Sequence, residues 1–466
     1  MMTLGAAARV LQGSLSGGDA EFTGVGSDTR RLARGDLFVA LIGPSFDGHD
    51  FLADAARAGA AGAIVSRRAA DSGLPTVRVT DTRRSLGALA AYWRGTFYVP
   101  LIAVTGSNGK TTVKGMLASI MAETGAGLAT EGNLNNDIGV PLTLLRLRAR
   151  DRYAVVEMGM NHPGEIDYLT RLARPTIALI TNAAQAHLAG LGSVAAVARA
   201  KGEIFAGLDE NGIAIINADD PYAELWRKLA GHRRQLSFGL ESAADVSADY
   251  ELDALGSAVR LKTPKGEADL WLALLGRHNV MNALAAVAAS MAAGAGLRDI
   301  RSGLQKLKPA PGRLEAKSGF KGACVLDDTY NANPGSLASG IEVLGRASGE
   351  RVLVIGDMAE LGDAADEIHS HAGELARQAG IHRLYAIGAL TWPTVRSFGT
   401  GAMHFDQHDA LVESLRNVMH RDMTLLVKGS RVMHMERVVH GLVDDDDDSR
   451  NTAPGAGPDK DGKRTS

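Results

Sequence analysis

The sequence predicts an α/β protein of three domains: a central parallel-sheet P-loop domain, an α/β N-terminal domain and a Rossmann-like C-terminal domain. Three observations lead there. Short apolar runs alternate with one-faced helical segments along most of the 466 residues, as parallel strands and their crossover helices do. The pattern changes near residues 98 and 312, and at roughly 150 residues per domain the length holds about three. A glycine-punctuated loop at 105–112 joins an apolar strand to a helix.

The first block, 1–98, alternates β-like runs at 36–41, 62–66 and 76–80 with helical stretches at 51–58 and 84–92. The second, 99–312, carries strands at 101–104, 153–156, 176–181 and 213–217, so its ligands should gather at the strand C-termini. Residues 233–275 break the rhythm with short alternating segments, read as an antiparallel annex. The third block, 313–443, resumes the alternation with strands at 323–326, 352–355, 384–387 and 425–427. Residues 444–466, opening on five consecutive aspartates, read as a disordered acidic and polar tail.

Composition narrows the function. The chain is 45% hydrophobic and 22% charged, ordinary usage for a soluble fold. The net charge of −3 arises in the tail, and the remaining body holds 46 acids and 46 bases, so no field for nucleic acid is expected. No apolar run approaches the ~20 residues of a membrane span, and membrane insertion is not expected. A single cysteine, Cys324, excludes an internal disulfide and suits a reducing cytoplasm. Met1 to Leu15 carries Arg9 and lacks the apolar core of a signal peptide.

The loop Thr105-Gly106-Ser107-Asn108-Gly109-Lys110-Thr111-Thr112 sits where a helix begins, and its unpaired N–H groups form an anion site. Lys110 adds a charge for the outer phosphates of a nucleotide, and the Thr111 hydroxyl suits Mg²⁺. Val104 stands where ordinary P-loops carry glycine. Glu157 ends an apolar strand, where a carboxylate needs a cation, and metal-bound triphosphate would supply one. His187 lies past the next strand. Lys201 shares a stripe with Val194, Val197, Ile204 and Phe205, so its ammonium must snorkel, meet an anion, lose its charge or become a carbamate. Asn279 opens an alanine-rich helix, where it either caps or lines the nucleotide. Arg313 lies between the second and third blocks, where a phosphate contact would link domain closure to nucleotide. Asp327 to Pro334 forms a polar cluster after a strand, and Lys428-Gly429-Ser430-Arg431 ends a strand and is expected to start the last helix.

Together these pieces resemble the ATP-dependent Mur ligases of peptidoglycan synthesis. The likeness spans about residues 25–440 and is most specific in 105–112, in Gly132-Asn133-Leu134-Asn135-Asn136-Asp137 with the residues through Thr143, in Glu157-Met158-Gly159, in Ala186-His187-Leu188 and in 200–205. Val113 departs from the threonine common among relatives. The resemblance implies one Mg²⁺ on Thr111 and Glu157, and a second on His187 and a carbamylated Lys201. It places ATP on Gly106 through Thr112 and against Asn279, Arg313 and Asp328, with Lys110, Glu157, His187 and Lys201 catalytic. Ser27, Asp28, Arg30, Phe46, Asp47 and His49 would grip a uridine nucleotide. Asn133, Asn135, Asn136, Tyr330, Asn331, Asn333, Asp357, Lys428 and Ser430 would complete the substrate sites. The chain lacks the Asp-Asn-Pro-Arg segment of the diaminopimelate-adding branch, which favours the branch joining D-alanyl-D-alanine to UDP-N-acetylmuramoyl-tripeptide, as a monomer. Another Mur-type ligase, adding diaminopimelate or lysine, a folate-type ligase sharing the central domain, and a non-enzymatic nucleotide switch are the alternatives. The switch has no need of two metal positions.

Overall fold

A computed structural model describes residues 1–68, 73–185 and 191–443. His187 and the expected tail, 444–466, lie outside the described residues. The chain divides into two compact units, Met1–Lys308 and Pro309–Ser466.

The first unit contains two large sheets. One orders its strands Ser14–Ser16, Thr76–Arg78, Gly62–Val65, Asp36–Val39 and Gly24–Gly26, parallel except at the first pair. The other orders Arg234–Phe238, Ile213–Asn217, Ile177–Ile180, Leu101–Thr105, Ala154–Glu157 and Leu128–Ala129, all parallel. Its three central strands, 101–105, 154–157 and 177–180, are wholly buried and read as unbroken apolar runs because helices cover both faces. Register then sets the site: Glu157 lies beside Val104, and Ile180 beside Thr105, so three neighbouring strands end level with one another.

Two expectations need correction here. Arg234–Phe238 is a parallel edge strand of this sheet, so the antiparallel annex is only Ser247–Asp253, Gly256–Thr263 and Gly266–Leu272. The alternation of Leu236 and Phe238 with polar neighbours reflects an edge position and not antiparallel pairing. In the second unit, Arg431–Met433 is a short 3₁₀ turn, and left-handed His434 separates it from the last helix, Glu436–Leu442. The strand ending at Lys428 therefore does not run directly into a helix N-terminus.

The second unit's sheet runs Glu315–Ser318, Cys324–Asp328, Met423–Lys428, Glu350–Gly356, Arg383–Ile387 and Ala402–Phe405, antiparallel only at its first pair. Among the described residues no helix is long and apolar enough to cross a membrane.

Candidate active site

The loop after Leu101–Thr105 needs glycine at two places. Gly106 has φ +153°, and a Cβ there would lie 1.8 Å from Thr181 Oγ1. Gly109, φ +81°, precedes the helix Lys110–Ala122, and a Cβ there would meet Asn282 Oδ1 at 2.3 Å. The loop is clamped from the neighbouring strand end. Thr181 Oγ1 donates to the Asn108 carbonyl at 2.6 Å, Asn182 Oδ1 accepts from the Asn108 N–H at 3.0 Å, and the Ser107 N–H donates to the Asn182 carbonyl at 2.9 Å. Lys110 Nζ folds over the loop onto the carbonyls of Gly106 and Ser107, at 2.6 and 3.2 Å. Thr112 follows in the first helical turn.

Glu157 is 2% exposed and held by three groups. Its Oε1 accepts from Asn135 Nδ2 at 2.9 Å and Thr111 Oγ1 at 3.3 Å. Lys114, one turn beyond Thr111, brings Nζ to 3.3 Å from Oε2 and donates to the Gly132 carbonyl at 2.9 Å. Oε2 has no hydrogen-bond partner among the described residues, so the lysine meets it as a charge without bond alignment. The cation that sequence reasoning required beside Glu157 is thus partly supplied by Lys114, a residue it overlooked. A buried carboxylate oxygen without a hydrogen-bond donor, beside a threonine hydroxyl, fits Mg²⁺, which takes hard oxygen ligands and completes its shell with water and phosphate.

Lys201 lies on Val194–Gly202, capped by Ser193, and is 1% exposed, which rules out snorkelling to solvent. Burial and the nearby Lys110 charge push its amine well below the ordinary lysine value. Neutral amine is the form that reacts with carbon dioxide.

Asn279 turns inward at the head of Arg277–Ala292. Its Nδ2 donates to the Leu275 carbonyl at 2.8 Å and its Oδ1 accepts from Asn282 Nδ2 at 3.1 Å. Asn282, not Asn279, lies against Gly109. Asn136 Oδ1 caps the helix Gly139–Leu144 through the N–H groups of Ile138 and Gly139, while Asn133 is exposed.

In the second unit, Lys428 Nζ donates to Asp328 Oδ2 at 2.6 Å and to the Asn331 carbonyl at 3.0 Å. Burial pushes the Asp328 carboxyl above the usual range, and Lys428 and Arg313 oppose that rise. Arg313 lies over the Tyr330 ring, 4.1 Å from its centre. Asn333 caps Pro334–Gly345 through the Ser336 N–H. Ser430 donates its Oγ to the Asp357 carbonyl at 2.6 Å, and Asp357 Oδ1 accepts from the Leu390 N–H at 2.9 Å.

Three family models match the chain: the Mur ligase middle domain over residues 104–290, the Mur ligase glutamate ligase domain over 312–431, and the Mur ligase family catalytic domain over 21–94. The chain belongs to the Mur ligase family. UDP-N-acetylmuramoyl-tripeptide--D-alanyl-D-alanine ligase of Escherichia coli K12 is 47% identical over 445 residues, 95% of this chain and 98% of that protein. The Bacillus subtilis enzyme of the same name is 34% identical, covering 94% and 97%. Among solved structures, MurF from Acinetobacter baumannii superposes with a TM-score of 0.89 at 37% identity, covering 94% of this chain and 98% of that one. MurF from Thermotoga maritima in complex with ADP gives 0.78 at 28% identity, covering 90% and 96%.

In this Mur ligase the expected uridine residues form two self-contained turns. Arg30 grips Asp28 through Nε and Nη2 at 2.9 and 2.8 Å, which holds the Asp28 carboxyl below its ordinary value. Ser27 is half-buried beside them. Asp47 Oδ1 lies 2.6 Å from His49 Nδ1, while His49 Nε2 accepts from the Ser66 N–H at 2.9 Å, so Nδ1 carries the ring proton. Phe46 is half exposed, an aromatic face open to a ligand.

The geometry thus gathers Lys110, Thr111, Asn135 and Glu157 in the first unit, with Lys201 within reach of the Lys110 charge. In the second it gathers Arg313, Asp328, Tyr330, Asn331 and Lys428. Sequence reasoning missed Lys114, Thr181, Asn182 and Asn282. Their one signal was position: a polar residue one helical turn past the loop, or just past a strand end.

Replacing Lys428 with methionine should destabilise the second unit by ~3–5 kcal/mol, because it strands a buried carboxylate. The folded pKa of Asp328, already raised, then rises further. The folded state would hold a proton that the unfolded chain releases, so the deficit should shrink as pH falls and grow as it rises. Thermal melts of both proteins at about pH 5 and about pH 8 check this, and an equal deficit at both would contradict it.

Proposed function

We propose that this chain is an ATP-dependent amide ligase joining D-alanyl-D-alanine to UDP-N-acetylmuramoyl-tripeptide, a cytoplasmic step in making the peptidoglycan precursor. The observation that carries this reading is the 47% identity to the E. coli ligase of that name across nearly the full length of both chains. A loop built for phosphate, with a buried carboxylate beside it, supplies the chemistry. The Mycobacterium tuberculosis folylpolyglutamate synthase and a diaminopimelate ligase, at 17% and 20% identity, support the fold alone.

A carboxylate does not react with an amine directly, since its leaving group would be oxide. In this reading a terminal carboxylate oxygen of the tripeptide attacks the γ-phosphorus of ATP, the bond to the bridging oxygen breaks, and ADP leaves. The amine of D-alanyl-D-alanine then attacks the acyl carbon, loses a proton, and expels phosphate. The loop amides and Lys110 hold the phosphoryl oxygens as charge builds there. Thr111 and Glu157 would hold one Mg²⁺, and His187 with a carbamate on Lys201 a second. Bound there, the ions would neutralise phosphoryl charge. Lys201 supports the carbamate because its neutral amine can attack carbon dioxide and release a proton, leaving an anion where a buried ammonium is disfavoured. Phe46, Asp47 and His49 would meet the uridine nucleotide, and Asp357, Lys428 and Ser430 the dipeptide.

Initial rates of ADP release test the reading. They should require the UDP-tripeptide and D-alanyl-D-alanine together, with the amide product appearing by mass. Equal release with neither substrate would refute it.

A further inference from the structure

Beside the phosphate loop stands a second buried lysine, Lys114, whose place in the reaction is still open. It follows Thr111 by three residues and Lys110 by four on Lys110–Ala122, spacings that share one side of a helix. Its Nζ lies 3.3 Å from Glu157 Oε2, and the two side chains are 9% and 2% exposed, so water screens their charges poorly. A hydrogen bond to the Gly132 carbonyl at 2.9 Å ties the same ammonium to the segment that delivers Asn135 to Glu157 Oε1. The charge is anchored from two sides.

The two oxygens of Glu157 are used differently. Oε1 accepts from Asn135 and Thr111, while Oε2 takes no hydrogen bond among the described residues and meets Lys114 by charge alone. Oε2 keeps its lone pairs for a metal, yet the ammonium cancels the charge that would draw one. Lys110, folded onto the Gly106 and Ser107 carbonyls, adds a further positive charge on the loop. Among the described residues no group of three or more His, Cys, Asp or Glu comes together to offset it. A free divalent ion is therefore repelled. The same ion carried on a triphosphate arrives as a net anion, which both lysines attract, and Mg²⁺ readily shares one or two carboxylates with substrate phosphates.

We propose that Lys114 makes metal binding at Glu157 conditional on the nucleotide: its fixed ammonium turns away the free divalent ion and favours the ion already bound to a triphosphate. The inference rests on the ATP-dependent reading above and makes Lys114 a positioning residue that acts through Glu157.

Mn²⁺ binding to the full chain, read by electron paramagnetic resonance with and without ATP, tests it. Lys114→Gln removes the charge and keeps a donor for the Gly132 carbonyl. Without nucleotide it should bind Mn²⁺ about tenfold or more tightly than the wild type, and adding Glu157→Gln should abolish that gain. With ATP the sign reverses, and the Kd of the Mn²⁺–ATP complex should rise about threefold. Lys114→Arg, which keeps the charge, should bind free Mn²⁺ within about twofold of the wild type. Free Mn²⁺ held no more tightly by Lys114→Gln than by the wild type, or a gain that survives Glu157→Gln, overturns the inference. If Lys114→Gln loses its native circular dichroism, Lys114→Met combined with Glu157→Gln carries the test: it should bind nucleotide-free Mn²⁺ as the wild type does, and weaker binding would mean that the wild-type carboxylate already holds a free ion, which overturns the inference too. A wild-type chain that takes up no Mn²⁺ even with ATP would strike the ATP-dependent reading itself, and this inference with it.

Discussion

Lys201→Ala should abolish measurable turnover, a loss of about 10³-fold or more, and a small carboxylic acid such as acetate should restore part of it. The lysine is 1% exposed on a core-facing stripe, and both burial and Lys110 disfavour its ammonium. In the proposed reaction this amine carries a carboxyl group, and the resulting anion would face a metal ion beside the phosphates. Alanine removes that anion and leaves space for a free carboxylate. The intact protein should also show the added mass of one carbon dioxide, lost when Lys201 is replaced. Full activity of the alanine variant without added acid would remove the carbamate from the account.

Glu157→Gln should lower kcat by about 10³-fold, since the substitution removes the charge that would hold Mg²⁺ while preserving side-chain volume. It also strands the Lys114 ammonium, whose side chain is 9% exposed, and breaking such a pair costs ~3–5 kcal/mol of stability. The two effects separate in a double variant. Adding Lys114→Met to Glu157→Gln should return most of the lost thermal stability and none of the turnover. If turnover recovered together with stability, Glu157 would be a structural residue only.

The parts of this fold visible in the sequence are those set by local rules. The loop at 105–112 is legible because only glycine tolerates the backbone at 106 and 109, and because a helix follows at once. Lys201 was legible because a cation on a stripe of Val197, Ile204 and Phe205 breaks the helical pattern. Long-range partners left little trace. Lys114 reads as one more polar residue on a helix until strand register brings Glu157 beside it, and Thr181 and Asn182 clamp a loop more than 70 residues away. Arg234–Phe238 looked like part of an antiparallel annex because an edge strand alternates whichever way its neighbour runs. Lys428 to Arg431 reads as leading straight into the last helix because no local rule announces the turn at Arg431–Met433 or left-handed His434.

In the proposed reaction the acid is activated by transfer of a phosphoryl group to its own oxygen. The most direct measurement uses UDP-tripeptide with both oxygens of its terminal carboxylate labelled with ¹⁸O, turned over with ATP and D-alanyl-D-alanine. One labelled oxygen is expected in the inorganic phosphate for every amide formed, with the other retained in the amide carbonyl. Product formed with unlabelled phosphate would contradict it.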